Sequence, residues 1–239
     1  MSDSYFIKEG YRINQAVETM DSISGVDYWS KNRIKDAYYC QFPVYQYLMA
    51  FMRKNRLRSI VDLGCGVGPK LHYLQNKVPD IDITGVDQKA AIDYCMKTYK
   101  FGTWLVDDFE NPENLGLIDS PDIIVSSDVI EHLFDPDSLL DYIRAIARPE
   151  TYILLSTPER DLFRGENCME SPQNVHVREW NKGELACYVA HRGFNIIEHF
   201  VVPPFKLSLR PGLLIHELVR IKNFAPRKNN QVLLMKLDK

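Results

Sequence analysis

Val61-Asp62-Leu63-Gly64-Cys65-Gly66-Val67-Gly68-Pro69 carries a short apolar run into three alternating glycines and then into a proline that opens a helical stretch. Proline suits the first helical position because the N–H it lacks would have no intrahelical partner there. Glycine is needed where the backbone turns sharply or a ligand must approach the main chain closely. The spacing is GxGxG followed by Pro69, whereas nicotinamide enzymes place a third glycine at the sixth position of GxGxxG. Nineteen residues beyond Gly68, Asp87 ends the next apolar run, "DITGVD". A carboxylate at such a strand tip can accept two hydrogen bonds from a ribose diol.

Outward from this loop the chain alternates in period. Strands are expected at Ser59–Leu63, Ile81–Val86, Thr103–Val106, Asp122–Ser126 and Tyr152–Ser156, with helices at Pro69–Asn76, Lys89–Lys97 and Pro136–Ala147. That alternation predicts βαβ units. The runs "DIIVSS" and "YILLST" lack a period of two, as befits parallel strands buried on both faces. A helix is expected at Lys182–His191, ended by Gly193, and "FNIIEHFVV" and "NQVLLMKL" read as a last pair of strands. Upstream, apolar side chains recur at helical spacing from Ile34 to Lys54, with Pro43 set to kink or divide that helix. The chain divides into an N-terminal helical cap or lid, 1–56, and a main domain, 57–239, which carries a polar lid at 158–180 and an insertion at 203–227.

Composition narrows the function classes. The 239 residues are 45% hydrophobic and 26% charged, enough apolar material for a packed core, with a net charge of −3. No overall basic field exists for gripping nucleic acid. No apolar run approaches the ~18 residues of a membrane-spanning helix, and the first ten residues lack the form of a signal peptide. The five cysteines are scattered with no CxxC pair, which excludes a zinc ribbon and reads as reduced thiols in a cytoplasmic protein.

"VDLGCGVG" followed by "TGVDQ", "LVDDFEN" and "DIIVSSDVIEHLFDP" resembles the successive motifs of class I S-adenosylmethionine-dependent methyltransferases, in particular small-molecule and sugar O-methyltransferases of the type 11/23 group. The resemblance covers about 57–160 and, more weakly, 174–239. It implies a Rossmann-like α/β fold with a seven-stranded, mostly parallel sheet, helices on both faces and the last strand antiparallel. It also implies S-adenosylmethionine as cofactor. Gly64, Gly66 and Gly68 would line the site with the main chain near Cys65 against the methionine part, and Asp62 would orient the loop or meet the ammonium. Asp87 would bind the ribose and Gln88 cover the adenine. Asp107 or Asp108 would accept from the adenine amine, and a carbonyl of Ser126 or Ser127 would help hold the ammonium. The chemistry is consistent: a sulfonium zwitterion without phosphate suits carboxylates and carbonyls better than a basic cradle.

At the reacting end, Asp128, Glu131 and His132 follow the fourth strand and share a face if that turn is helical. His176 lies in "SPQNVHVREW", after the fifth strand, where it can meet His132 across an acceptor cleft at the C-terminal strand ends. "DVIEH" with a later "HVREW" is similar to ubiquinone-pathway catechol O-methyltransferases. It is similar also to terminal 2′-O-methyltransferases of small RNAs, whose ExxEH motif and later histidine hold a divalent metal; here Asp128 replaces the first glutamate. Three roles stay open: His176 or His132 as a metal-free base, a clamp of Asp128, Glu131, His132 and His176 on Mg²⁺, Mn²⁺ or Fe²⁺, or packing alone. Trp29, Tyr28 and Arg33 suit a covering lid. The amphipathic Leu213–Lys222, with Arg220, suits core packing, pairing of two subunits, a membrane surface or acceptor covering.

The expected function is therefore methyl transfer to a hydroxyl oxygen of a small molecule or a sugar or glycan unit, with histidine taking the proton. Histidines and carboxylates in the cleft suit a hydroxyl acceptor, and the motif for methylating nucleic-acid amines is absent after the fourth strand. A nucleic-acid partner is disfavoured by charge. The rival expectations are an RNA 2′-O-methyltransferase with a divalent metal, and a non-catalytic S-adenosylmethionine-binding subunit that activates a partner.

Overall fold

The computed structural model describes residues 5–15, 34, 36–204 and 229–238. Seven strands form one sheet: β1 Ser59–Leu63, β2 Asp82–Asp87, β3 Thr103–Val106, β4 Ile123–Ser127, β5 Tyr152–Pro158, β6 Phe194–Val202 and β7 Asn230–Leu237. Their order across the sheet is β3-β2-β1-β4-β5-β7-β6. The first five are parallel, and β7 runs antiparallel to both β5 and β6. The helices are α1 Phe42–Asn55, α2 Pro69–Lys77, α3 Lys89–Thr98, α4 Pro136–Ile146, the short α5 Arg160–Arg164 and α6 Lys182–His191. The Rossmann-like expectation holds, and from β1 onward the expected strand and helix ends fall within two residues of those observed.

Adjacent residues of each strand feed opposite faces. Val61, Leu63, Ile124, Ile153 and Leu155 pack with α4 and α6, including Leu139, Leu140, Ile143, Leu185 and Val189. Ile60, Ile83, Ile123, Val125 and Leu154 pack with α1, α2 and α3, including Leu48, Met52, Leu71 and Ile92. Each such side chain stabilises the fold by roughly 1.5–3 kcal/mol relative to exposure. This two-sided burial explains why β4 and β5 read as continuous apolar runs. β1 lies between β2 and β4, so successive connections diverge to either side of it and open a crevice at the C-terminal strand ends, where ligands bind in such sheets.

Of the two expectations for Pro43, division is what occurs: residues 34, 36 and 37 are helical, 38–41 interrupt the helix, and α1 begins at Phe42 with Pro43 in its first turn, after Gln41 has turned into a left-handed conformation at φ 54°. The cap is not helical throughout: residues 5–15 form turns lying against the 166–180 segment. Trp180 Nε1 donates to the Tyr5 carbonyl at 3.0 Å, and the Arg12 N–H donates to the Met169 carbonyl at 2.8 Å. Tyr28, Trp29 and Arg33, and the amphipathic segment expected at Leu213–Lys222, lie outside the described residues.

Candidate active site

The crevice holds a pocket of about 470 Å³ whose wall includes the glycine loop, both strand-tip acids and the two histidines singled out above. Gly64, Gly66 and Gly68 all adopt positive φ, at 85°, 55° and 71°. At Gly64 the conformation and the space coincide, because a Cβ there would lie 2.2 Å from Val129 Cγ2. The loop is tied to the next strand by its N–H groups: Gly64 donates to the Val86 carbonyl at 2.9 Å, and Gly66 donates to Asp87 Oδ2 at 2.7 Å.

Asp87 closes β2 at the pocket wall, with its other oxygen accepting from the Gln88 N–H at 2.7 Å. Burial pushes its carboxyl above the ordinary carboxylate range, opposed by these two N–H donors. A carboxylate offers about four lone-pair sites, so two remain for a diol. Asp62 is buried behind the loop, where Oδ2 accepts from Tyr45 Oη at 2.8 Å and Oδ1 has no protein partner. Burial raises its pKa to about 7 against the opposing effects of Tyr45 and Lys70.

Asp107 and Asp108, equivalent in sequence, part company here. Asp107 Oδ1 accepts from the N–H groups of Asp108 and Glu113, and Oδ2 accepts from the Asn114 N–H and Tyr142 Oη. These four bonds saturate Asp107 and anchor the loop to α4. Asp108 is exposed at the pocket and holds only local bonds from the Glu110 N–H and Asn111 Nδ2. Ser127 lines the pocket, its hydroxyl 2.7 Å from that of Ser156, whereas the buried Ser126 Oγ has no partner.

The expected face of Asp128, Glu131 and His132 does not form as drawn from spacing. Asp128 turns left-handed at φ 56°, and the 3₁₀ turn begins only at Ile130. Its carboxylate swings away and accepts from Gln41 Nε2 at 2.9 Å, Asn230 Nδ2 at 3.0 Å and Ser156 Oγ at 3.2 Å. A left-handed aspartate costs roughly 1–2 kcal/mol, which these three bonds offset. Among the described residues, the groups that come together are Glu131, His132 and His176, with one donor atom from each within 4.8 Å of the others. Asp128 is not part of that set.

Both imidazoles are held through Nδ1. His132 Nδ1 lies 2.6 Å from the Val175 carbonyl, which only accepts, so Nδ1 carries the proton and Nε2 the lone pair. Burial, with the neighbouring His176 ring adding, lowers its pKa to about 4. His176 Nδ1 lies 2.6 Å from Glu179 Oε1. Glu179 would be raised by burial, yet hydrogen bonds from His176 and Arg164 hold it at about 2. It is therefore ionised and can only accept, so His176 Nδ1 donates to it. The two rings meet edge to face, 4.8 Å between centroids. Glu131 accepts from Thr157 Oγ1 at 2.9 Å, and burial, with Asp128 adding, raises its carboxyl well above the ordinary range.

Two buried ion pairs tie the 158–180 segment. Arg164 grips both oxygens of the buried Glu179 at 2.9 and 3.1 Å, and the fully buried Arg160 grips both oxygens of Glu184 at 2.7 and 2.9 Å. Breaking one partner from such a buried pair typically costs about 3–5 kcal/mol. Glu179, Lys70, Gln41 and Asn230 were not singled out in sequence. For Glu179 a signal existed, since it stands three residues after His176; the other three gain their place only from long-range packing.

A profile of the family described as "Methyltransferase domain" matches residues 33–199. The chain belongs to this methyltransferase-domain family. A probable S-adenosylmethionine-dependent methyltransferase of Mycolicibacterium smegmatis (strain ATCC 700084 / mc(2)155) is 30% identical over 145 residues, 58% of this chain and 52% of that protein. The chain thus spans about half the length of that curated relative. Among solved structures, the plantazolicin methyltransferase BpumL in complex with a triazolic desmethylPZN analog and SAH is 16% identical, with a TM-score of 0.64 over 94% of this chain and 96% of that one. A putative methyltransferase in complex with the Haloferax volcanii Trm112 methyltransferase activator is 14% identical, with a TM-score of 0.64 over 94% and 98%. Magnesium protoporphyrin IX methyltransferase (ChlM) from Synechocystis PCC 6803, with bound SAH, is 12% identical, with a TM-score of 0.56 over 82% and 83%. These likenesses confirm the fold.

The cofactor of this methyltransferase domain is S-adenosylmethionine, and the pocket's donor set fits it. Asp87 has acceptor capacity left at a strand tip, the orphaned Asp62 Oδ1 is an acceptor behind the loop, and the opening is rich in acids. Such a set suits a cationic nucleoside and repels a pyrophosphate. Glu131, His132 and His176 also fit a divalent cation: a ligating histidine ordinarily donates its second ring N–H to a carbonyl or carboxylate, which both rings do here.

Proposed function

We propose that this domain transfers the methyl group of S-adenosylmethionine to a hydroxyl oxygen of a small polyhydroxylated acceptor, such as a sugar or glycan unit, with His176 as the base. Bound S-adenosylmethionine supplies an electrophilic methyl on sulfonium. Asp87 holds the ribose through its two remaining lone pairs, and Asp108, the unsaturated acid of its pair, accepts from the adenine amine. Gln88 flanks the adenine, the Cys65 main chain faces the methionine part, and Asp62 with the Ser126 or Ser127 carbonyl receives the ammonium. The glycine loop lets the backbone approach within van der Waals contact.

The observation that carries the base assignment is the 2.6 Å contact between His176 Nδ1 and the ionised Glu179. It engages Nδ1, leaving Nε2 to take the acceptor proton, and stabilises the imidazolium so formed, as the carboxylate does in a catalytic triad. Such base catalysis is worth about 10²–10⁴-fold. The seven carboxylates on the pocket wall, against one lysine, favour a neutral acceptor over RNA, whose phosphates they repel.

A second reading has its own support. The Glu131, His132 and His176 donors converge within 4.8 Å. A divalent cation held there would polarise the acceptor hydroxyl as a Lewis acid. In that reading Glu131 and the two Nε2 atoms serve as ligands, while Val175 and Glu179 orient the rings.

The test is release of S-adenosylhomocysteine over a panel of monosaccharides, nucleotide sugars and catechols, with an RNA oligonucleotide and a peptide amine alongside. A hydroxyl compound is expected to turn over, and His176→Gln to lower its kcat at least 100-fold with cofactor affinity within twofold of wild type. Turnover confined to the amine, or undiminished in His176→Gln, overturns the proposal. RNA turnover with steep salt dependence would instead establish the nucleic-acid reading.

A further inference from the structure

We infer that Lys70 is a carboxylate clamp in this pocket and that it holds the α-carboxylate of the cofactor's methionine part; this rests on the cofactor reading above. Lys70 stands two residues beyond Gly68, in the first turn of α2. It is only 8% exposed, yet it lines the pocket. Of all the described residues on that wall it is the single lysine or arginine, facing seven carboxylates.

Among the described residues Lys70 Nζ has one hydrogen-bond partner, the neutral Gln41 Oε1 at 3.2 Å, and it lies 5.3 Å from the centroid of the Tyr45 ring. No described carboxylate comes within 4.0 Å to form an ion pair with it. An ammonium has three N–H donors. A buried charge without a paired counter-charge is costly, so this one is built for an anion that arrives with a ligand.

The partner's position follows from where Lys70 stands. It lies two residues beyond Gly68 at the start of α2 and lines the pocket beside Gly64, Cys65 and Gly66, which puts it at the glycine-loop, cofactor end. Gln41 is clamped between opposite charges, with Oε1 accepting from Lys70 and Nε2 donating to Asp128 Oδ2 at 2.9 Å. That amide spaces a cation from an anion, and the pair is complementary to an α-amino acid zwitterion. A phosphate is disfavoured because the remaining wall is acidic.

The experiment measures calorimetric affinity for two probes that differ only in the carboxylate, S-adenosylhomocysteine and its decarboxylated analogue, on wild type and Lys70→Met. Wild type is expected to prefer S-adenosylhomocysteine by about 10–100-fold, the scale of a hydrogen-bonded charge, and Lys70→Met by less than threefold. Lys70→Gln should show the same collapse and serves if the Met variant does not fold. Absence of discrimination in wild type, or discrimination that persists without Lys70, overturns the inference. Wild type that binds neither probe would overturn the cofactor reading itself, which separates the two failures.

Discussion

Replacing Asp87 by asparagine keeps the side chain's shape and removes its charge, which isolates what the strand-tip acid does. In the folded chain its two oxygens each accept one backbone N–H at 2.7 Å, from Gly66 and from Gln88. The ribose contacts must therefore use the other lone pair on each oxygen. Asparagine turns one oxygen into an NH₂ group, so a backbone donor and a ribose hydroxyl lose their acceptor together. Hydrogen bonds to a charged group contribute about 1.5–3 kcal/mol, which at about 1.4 kcal/mol per decade is roughly 10–150-fold in affinity. The free protein loses less. Burial already disfavours the ionised acid, so losing the charge offsets the weakened N–H contact, for a net change of about 1 kcal/mol or less. For a domain of this size that is about 2–4 °C. The assay pairs calorimetry of S-adenosylhomocysteine binding with thermal unfolding of the free protein. Affinity within threefold of wild type would refute the ribose assignment; a fall in Tm beyond about 10 °C would show that Asp87 serves the loop's folding instead.

Gly64→Ala should destabilise the protein by roughly 2–4 kcal/mol, combining a left-handed backbone with a Cβ 2.2 Å from Val129 Cγ2; urea unfolding with an unchanged midpoint would contradict the packing described. His132 is neutral when folded because its pKa is lowered to about 4 from 6.5. The unfolded chain therefore binds the extra proton, and the contribution is complete above about pH 6.5 and lost as pH falls toward 4. In metal-free protein, unfolding free energies at pH 7 and 4.5 should differ by about 2 kcal/mol less in His132→Gln than in wild type, and an equal difference would sink that assignment. Glu179 has the opposite starting point and a lower window: held at about 2, it stabilises fully above about pH 4.5 and loses that contribution toward pH 2, a loss Glu179→Gln should abolish in acid-unfolding curves. Excess EDTA should leave turnover intact if His176 is a metal-free base, whereas loss restored by Mg²⁺ or Mn²⁺ would establish the cation reading.

Local chemistry made the frame of this protein readable. Steric freedom at Gly64 to Gly68, the helix-opening Pro69 and the alternation of apolar runs are properties of neighbouring residues. They sufficed to place β1 to β5, the crevice and Asp87. His132 and His176 were placed together for a related reason, since both follow adjacent parallel strands at the same sheet edge. Side-chain partnership was not legible, because it depends on atoms far apart in the chain. Asp107 is buried and saturated by the Asp108, Glu113 and Asn114 N–H groups and by Tyr142, 35 positions away, whereas Asp108 stays exposed. Asp128 left the expected face because Gln41, Ser156 and Asn230, the last 102 positions away, hold its carboxylate elsewhere. Lys70 looks like an ordinary helix-surface lysine until α1 folds over it and buries it beside Gln41 and Tyr45. The order of residues determined backbone conformation through short-range sterics and periodic burial. Which acids are saturated, which histidine is oriented by a carboxylate and where the Lys70 ammonium lies were settled only when packing removed water and left each polar group to the partners within reach.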